Sequence, residues 1–202
     1  MGSEANMAAK REITMDDIMA PEDYAARRSE YRAKITIKKR DRRMAIGPDA
    51  TFYFESYDTM WHQVHEMLHV EKGGREQIPG ELAAYNPLVP NGHELVATVM
   101  FEIVDPTRRS EVLASLGGVE QTFSITIADQ AIAGIPEEDV DRTNADGKAS
   151  SVQFVHFPFS SDQVERFKYE IGDVIVAISH ANYAHMAVMA KPVRAALAED
   201  FD

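Results

Sequence analysis

The chain is 202 residues long, contains no cysteine, and carries 33 Asp+Glu against 21 Lys+Arg, a formal net charge of −12. The missing thiol excludes disulfide scaffolds, thiolate zinc sites, iron–sulfur clusters ligated by this chain and a cysteine nucleophile. The acidic total excludes a general nucleic-acid binder, which needs clustered Lys and Arg against phosphate.

No stretch approaches the roughly 20 consecutive apolar residues that span a bilayer, and Met1–Lys10 lacks the apolar centre of a signal peptide, so a cytoplasmic protein is expected. Residues 1–12 read as a disordered leader and 13–202 as a single α+β domain. Thr14 with Asp16 and Asp17, then Pro21-Glu22-Asp23, announces a helix. Tyr24, Arg28, Tyr31, Ile35 and Lys38 recur at three- and four-residue spacing, which predicts an amphipathic helix over 21–43 with a narrow apolar stripe. Between Arg27 and Arg43 nine basic residues face Glu30 and Asp41, a local +7 that leaves −19 on the rest of the chain. Such a helix either pairs with the acidic body of its own protein or docks an acidic partner.

Further along, Met44–Ile46 and Thr51–Phe54 read as short strands joined by the turn Gly47-Pro48-Asp49. Ser56–Val70 is a helix with Tyr57, Met60, Trp61, Val64, Met67 and Leu68 on one face, stopped by Gly73-Gly74. Glu76–Tyr85 is a second helix, Leu95–Val104 a buried strand and Pro106–Leu116 a helix. In the second half Gln121–Ala128, Val152–Phe157, Val174–Ser179 and His185–Met189 are strands, with helices at Ser161–Tyr169 and Pro192–Ala198; Pro136–Ser150 is the longest polar connection. The order lacks a regular strand–helix alternation, so the expected fold is α+β, a mostly antiparallel sheet packed against several helices.

Two groups of histidines carry potential chemistry. Trp61-His62-Gln-Val-His65-Glu66-Met-Leu-His69 contains the His-Glu-x-x-His pattern in which two imidazoles hold zinc and the Glu activates water. His65 and His69 are therefore an alternative metal pair. His62, His65 and His69 lie more than 100° from the apolar face, so a solvated helix face is expected instead. Glu71 falls within the apolar face and is expected either buried and paired or at the helix edge.

The second group is His156, His180 and His185. A four-residue loop Ala181–Ala184 would set His180 and His185 across a hairpin, about 5 Å apart at Cβ. With His156 from another strand, three imidazoles would converge at one end of a sheet. Such a set holds a divalent transition metal, ligates haem iron or supplies acid–base chemistry, with Glu66 or Glu71 as carboxylate partners.

Several blocks together are distinctive: Gly47–Glu55, Tyr57–Trp61, Glu66–Leu68 with Glu71–Gly74, Glu81–Pro87, Glu94–Thr98, Ala145–Ser151, His156–Phe159 and His180-x-x-Tyr-x-His185. On these the chain, from about Ile13 to Phe201, resembles the bacterial domain-of-unknown-function family numbered three-five-zero-one. The resemblance implies no reaction. It implies partners, because members are encoded beside rubrerythrin-like proteins and iron–sulfur oxidoreductases, which points to a redox or peroxide-linked accessory role. It also implies that His156, His180 and His185 belong to the family pattern, whereas Tyr, Gln and Arg are usual at His62, His65 and His69. The leading expectation is a metal- or haem-binding accessory protein. The alternative is a metal-free protein docking an iron–sulfur oxidoreductase through its basic helix; a zinc hydrolase at His65-Glu66-x-x-His69 ranks last.

Overall fold

The structure is a computed structural model that describes residues 10–137, 143 and 147–202. Its helices are α1 (Pro21–Arg40), α2 (Tyr57–Glu71), α3 (Ile78–Tyr85), α4 (Pro106–Ala114), α5 (Ser161–Lys168) and α6 (Lys191–Ala198). Its strands are β1 (Arg43–Ile46), β2 (Ala50–Phe54), β3 (Glu94–Phe101), β4 (Phe123–Ile127), β5 (Gln130–Ala133), β6 (Ile135–Pro136), β7 (Val152–Pro158), β8 (Val174–His180) and β9 (Tyr183–Val188). The fold is α+β, with two antiparallel sheets in place of the one expected. The first runs β1-β2-β3-β7-β6 and the second β5-β4-β8-β9.

The period-two patterns explain the layers. Phe52, Phe54, Leu95, Ala97, Val99, Val155 and Phe157 of the first sheet meet Phe123, Ile125, Ile127, Val174, Val176 and Ile178 of the second in one buried core. The opposite face of the first sheet carries Val96 and Phe154, which pack with Met60 and Val64 of α2, with Leu88 and Val89, and with Ile13. The order of layers is thus second sheet, first sheet, then α2 with α3. The helix α1 lies against α2 on the outside, and Tyr24 is its one buried residue. Among the described residues no helix is long and apolar enough to cross a membrane.

Most elements fall within a few residues of the sequence expectation, and the differences are local. β5 and β6 are additional to the strands expected from the sequence. β5 follows β4 through Ala128-Asp129, with Ala128 at φ +54°, a tight turn without the Gly or Asn that ordinarily advertises one. The basic helix ends at Arg40, three residues earlier than expected, because Arg42 is drawn into the body and is only 2% exposed. Its guanidinium donates to the carbonyls of Phe54 (3.1 Å), Glu55 (2.7 Å) and Ala196 (3.0 Å) and pairs with buried Asp200. Residues 1–9 of the expected leader, and much of the polar connection after Pro136, lie outside the described residues. Arg11 is tied to the body through the Pro90 carbonyl and Asp202, and Ile13 is buried.

Arg42 and Asp200 form a buried ion pair, so removing one partner strands the other. Arg42→Ala is expected to lower stability by about 3–5 kcal/mol, measured by urea denaturation. A loss below about 1 kcal/mol, the level of a surface pair, would contradict this reading of the contact.

Candidate functional site

The expected solvated histidine face of α2 is instead covered. The α1 stripe read from the sequence (Tyr24, Arg28, Tyr31, Ile35, Lys38) packs along it, and His62 and His65 are 9% and 2% exposed. Tyr24 Oη donates to Glu66 Oε1 at 2.7 Å and lies 3.0 Å from His62 Nδ1. The phenol has a single proton, and Glu66 takes it, so His62 donates from Nδ1. Arg28 closes the set with a bidentate pair to Glu66, 2.8 Å on each arm. The Arg28 guanidinium holds the Glu66 carboxyl down at about 2, against its burial and with help from Tyr24.

His65 is fully engaged. Nδ1 donates to the Trp61 carbonyl at 2.7 Å, and Nε2 accepts from the Met19 backbone N–H at 3.0 Å, which fixes a neutral tautomer. Burial lowers the pKa of both His62 and His65. A zinc site at His65 and His69 needs a free lone pair on His65 and a free Glu66. Both are already committed, so the arrangement does not fit a zinc hydrolase. Glu71 proves exposed, at the end of α2, and accepts from Gln77 Nε2 at 2.7 Å.

The second histidine group is not brought together. The turn between β8 and β9 is the two residues Ala181-Asn182, so His180 pairs with Tyr183 and His185 with Ile178, and the two imidazoles are not cross-strand partners. His180, Tyr183 and His185 share the strand face that carries Val176 and Ile178, turned toward the first sheet. His156 pairs with Val96, on the far side of that first sheet, toward α2 and α3. A whole sheet therefore separates His156 from the other two. Among the described residues no group of three or more His, Asp or Glu is arranged to hold a metal ion.

Each of these side chains has local work. His180 Nε2 meets the Gly117 carbonyl at 3.2 Å and Nδ1 accepts from Asn182 N–H at 3.2 Å. Tyr183 Oη donates to the Ile46 carbonyl at 2.8 Å and accepts from the N–H groups of Asp49 and Ala50, 2.9 Å each. Gly47, at φ +74°, must be glycine there: an added Cβ would lie 2.6 Å from the His185 ring. The His180-x-x-Tyr-x-His185 block thus fastens the turn of one sheet to the hairpin of the other. His156 sits between two carboxylates the sequence did not pair with it, Glu94 at 3.0 Å on Nδ1 and Glu137 at 2.6 Å on Nε2. Burial disfavours its charge, but the two carboxylates prevail and raise its pKa.

One cavity stands out, a cleft of about 690 Å³ between the segment before α1, α1 itself, α2 and the start of α3. That volume is within the roughly 300–1,000 Å³ of small-molecule pockets. Met15, Ile18 and Met19 of the preceding segment, Leu68 of α2 and Ile78 of α3 line it, together with the buried Tyr24 and His65. The segment wall is pinned by Trp61 Nε1 on the Asp17 carbonyl (2.8 Å), by His65 on Met19, and by a two-way bond of the Asn86 amide with Ile13. Its lining also includes half-buried His69 and the exposed Lys72, Arg75 and Glu22. His69 is the histidine of the His-Glu-x-x-His pattern whose ring nitrogens have no hydrogen bond among the described residues.

The His65–Met19 bond makes the wall pH-sensitive. His65 is protonated more readily unfolded, near 6.5, than folded, so its stabilisation is present above that value and is lost as the pH falls below it. Protonated Nε2 also becomes a second donor facing the Met19 N–H. Amide exchange at Met19, corrected for its intrinsic pH dependence, is expected to be protected at neutral pH and unprotected in mild acid. Equal protection at both would remove this lock.

The family model described as "Protein of unknown function (DUF3501)" matches residues 12–201. No curated protein matches the chain. A crystal structure of a protein of unknown function from Burkholderia pseudomallei K96243 is similar over 94% of this chain and 99% of its own, at 33% identity and a TM-score of 0.87. With the family model covering nearly the whole chain and a neighbour of the same fold, this protein belongs to the DUF3501 family.

Proposed function

We propose that the protein is a binding protein for a small, largely apolar ligand with an anionic end, held in the cleft beneath the segment that precedes α1. The observation that carries this reading is His69, whose ring nitrogens have no hydrogen bond among the described residues, in the lining of an apolar cavity of about 690 Å³ that also holds two cations, Lys72 and Arg75. Apolar walls supply affinity through burial, and a few placed polar groups fix orientation. Haem is the member of this ligand class that His69 singles out. An imidazole is an axial ligand for iron, and Lys72 and Arg75 suit carboxylate side arms. This reading transfers the expected haem chemistry from His156, His180 and His185, which lie in separate layers, to His69. An accessory role beside rubrerythrin-like and iron–sulfur oxidoreductase partners in the cytoplasm is part of the proposal, supported by the family resemblance.

Titration of the purified protein with haemin is expected to give a saturable shift of the Soret band. His69→Ala should weaken it at least about tenfold, ~1.4 kcal/mol. A shift unchanged in His69→Ala, or no saturable shift, would overturn haem as the ligand. Competition by a long-chain fatty acid without haemin binding would assign the cleft to another apolar carboxylate.

The second reading, docking of an acidic partner, rests on α1. Most of its cations are paired at home: Arg28 with Glu66, Lys38 with Asp58, Arg27 and Lys34 with Glu30. Arg32 and Lys39 have no ion pair among the described residues, and Ile37 is 64% exposed beside them. Partner binding through this surface should weaken with added salt and be lost in a variant combining Arg32→Glu with Lys39→Glu. Salt-insensitive binding would exclude it.

A further inference from the structure

The two sheets present four edges, and three are blunted. β1 opens on Arg43, β6 is two residues long and ends in Pro136, and β5 has four residues. Short length, charge and proline are the usual protections of an exposed edge. β9 has none of them: Tyr183-Ala-His-Met-Ala-Val188 is six residues long, without charge, Pro or bulge, at the outer edge of the second sheet.

The backbone along this edge is unused. Met189 N–H bonds to the Val174 carbonyl, so by antiparallel alternation Tyr183, His185 and Ala187 direct their N–H and C=O toward β8. Ala184, Met186 and Val188 then direct theirs outward, and no hydrogen bond among the described residues uses these groups. Their side chains share the outer face of the sheet, where Met186 is 71% and Val188 59% exposed. Strand register places Ile175 and Ala177 beside them, and the rest of that face is Ala, Ser and Thr.

We infer that β9 is a self-association edge, and that its partner is β9 of a second copy of this chain. Two arguments select this occupant. Each copy carries −12, so two copies repel wherever charged surfaces meet, and β9 with its outer face is charge-free ground. The edge is also self-complementary. A two-fold axis perpendicular to the sheet at Met186 pairs that residue with Met186 of the partner subunit. It also pairs Ala184 with Val188 of the partner subunit. All three outward-directed residues are then in hydrogen-bonding positions, and the apolar side chains meet on one face. The result is one continuous eight-stranded antiparallel sheet.

The chain's lack of cysteine gives a direct test. Two cross-strand residues at a hydrogen-bonded position lie about 5.5 Å apart at Cα, inside the roughly 4.4–6.8 Å span of a disulfide. Met186→Cys oxidised with copper–phenanthroline is expected to form a covalent dimer, and Ala131→Cys on the β5 edge is not. By sedimentation equilibrium across the micromolar range, the wild-type protein should approach twice the monomer mass. Met186→Lys combined with Val188→Lys should stay at the monomer mass with an unchanged circular dichroism spectrum, since both side chains are exposed. A monomeric wild type, a dimer untouched by the two lysines, or equal cross-linking at positions 131 and 186 would each overturn the inference.

Discussion

The contact on which the rest of the site depends is the Glu66 carboxylate of α2, gripped by Arg28 and Tyr24 of α1. It is a charge-assisted, partly buried contact and therefore stronger than an ordinary surface pair. Its position matters as much as its strength. By fixing the first turns of α1 on α2 it sets the path of the preceding segment, which Trp61 and His65 then hold from below. The cleft exists because that segment is carried across α2 as a roof. A surface histidine row would otherwise have remained in its place.

This also explains why, among the described residues, neither the protease signature nor the strand histidines present imidazoles that converge with free lone pairs. Metal chemistry requires imidazole lone pairs that converge and are unclaimed. In the signature, His65 is claimed on both nitrogens and Glu66 on both oxygens. In the strands, His156 faces the helices, while His180 and His185, on the second sheet, face the opposite side of the first sheet. The parity of strand side chains decides such matters absolutely: one layer of backbone lies between them.

The legible part of the sequence was whatever has a local cause. The α1 stripe, the α2 apolar face and the strands β3, β4, β7 and β8 are written in spacing and propensity, and they appear within a few residues of their expected limits. The stripe residues Tyr24 and Arg28 even identify the surface that α1 would bury. What they would bury against was not legible, because α1 meets α2 across about forty residues of chain and nothing local names the partner. The same limit hid Glu94 and Glu137 beside His156. The His180–His185 geometry failed on a smaller matter, a loop two residues shorter than assumed. Two residues shift every cross-strand pair in the hairpin. The cleft had no sequence signal of its own, since it is made by four separate segments.

Tyr183 shows how function-like patterns arise from mechanics, as its one hydroxyl serves three backbone groups of the opposite sheet. A different consequence follows from α1. It gives the interior only one fully buried side chain over twenty residues, whereas the sandwich is sealed by two full strand faces. Protein stability is distributed in cooperative units of unequal depth, and an element so lightly seated belongs to the shallow end. The helix α1, which lines the cleft beside the segment preceding it, can therefore open while the sheets beneath stay folded. For the ligand proposed above, entry would then require only a local opening of α1 and not the melting of the protein.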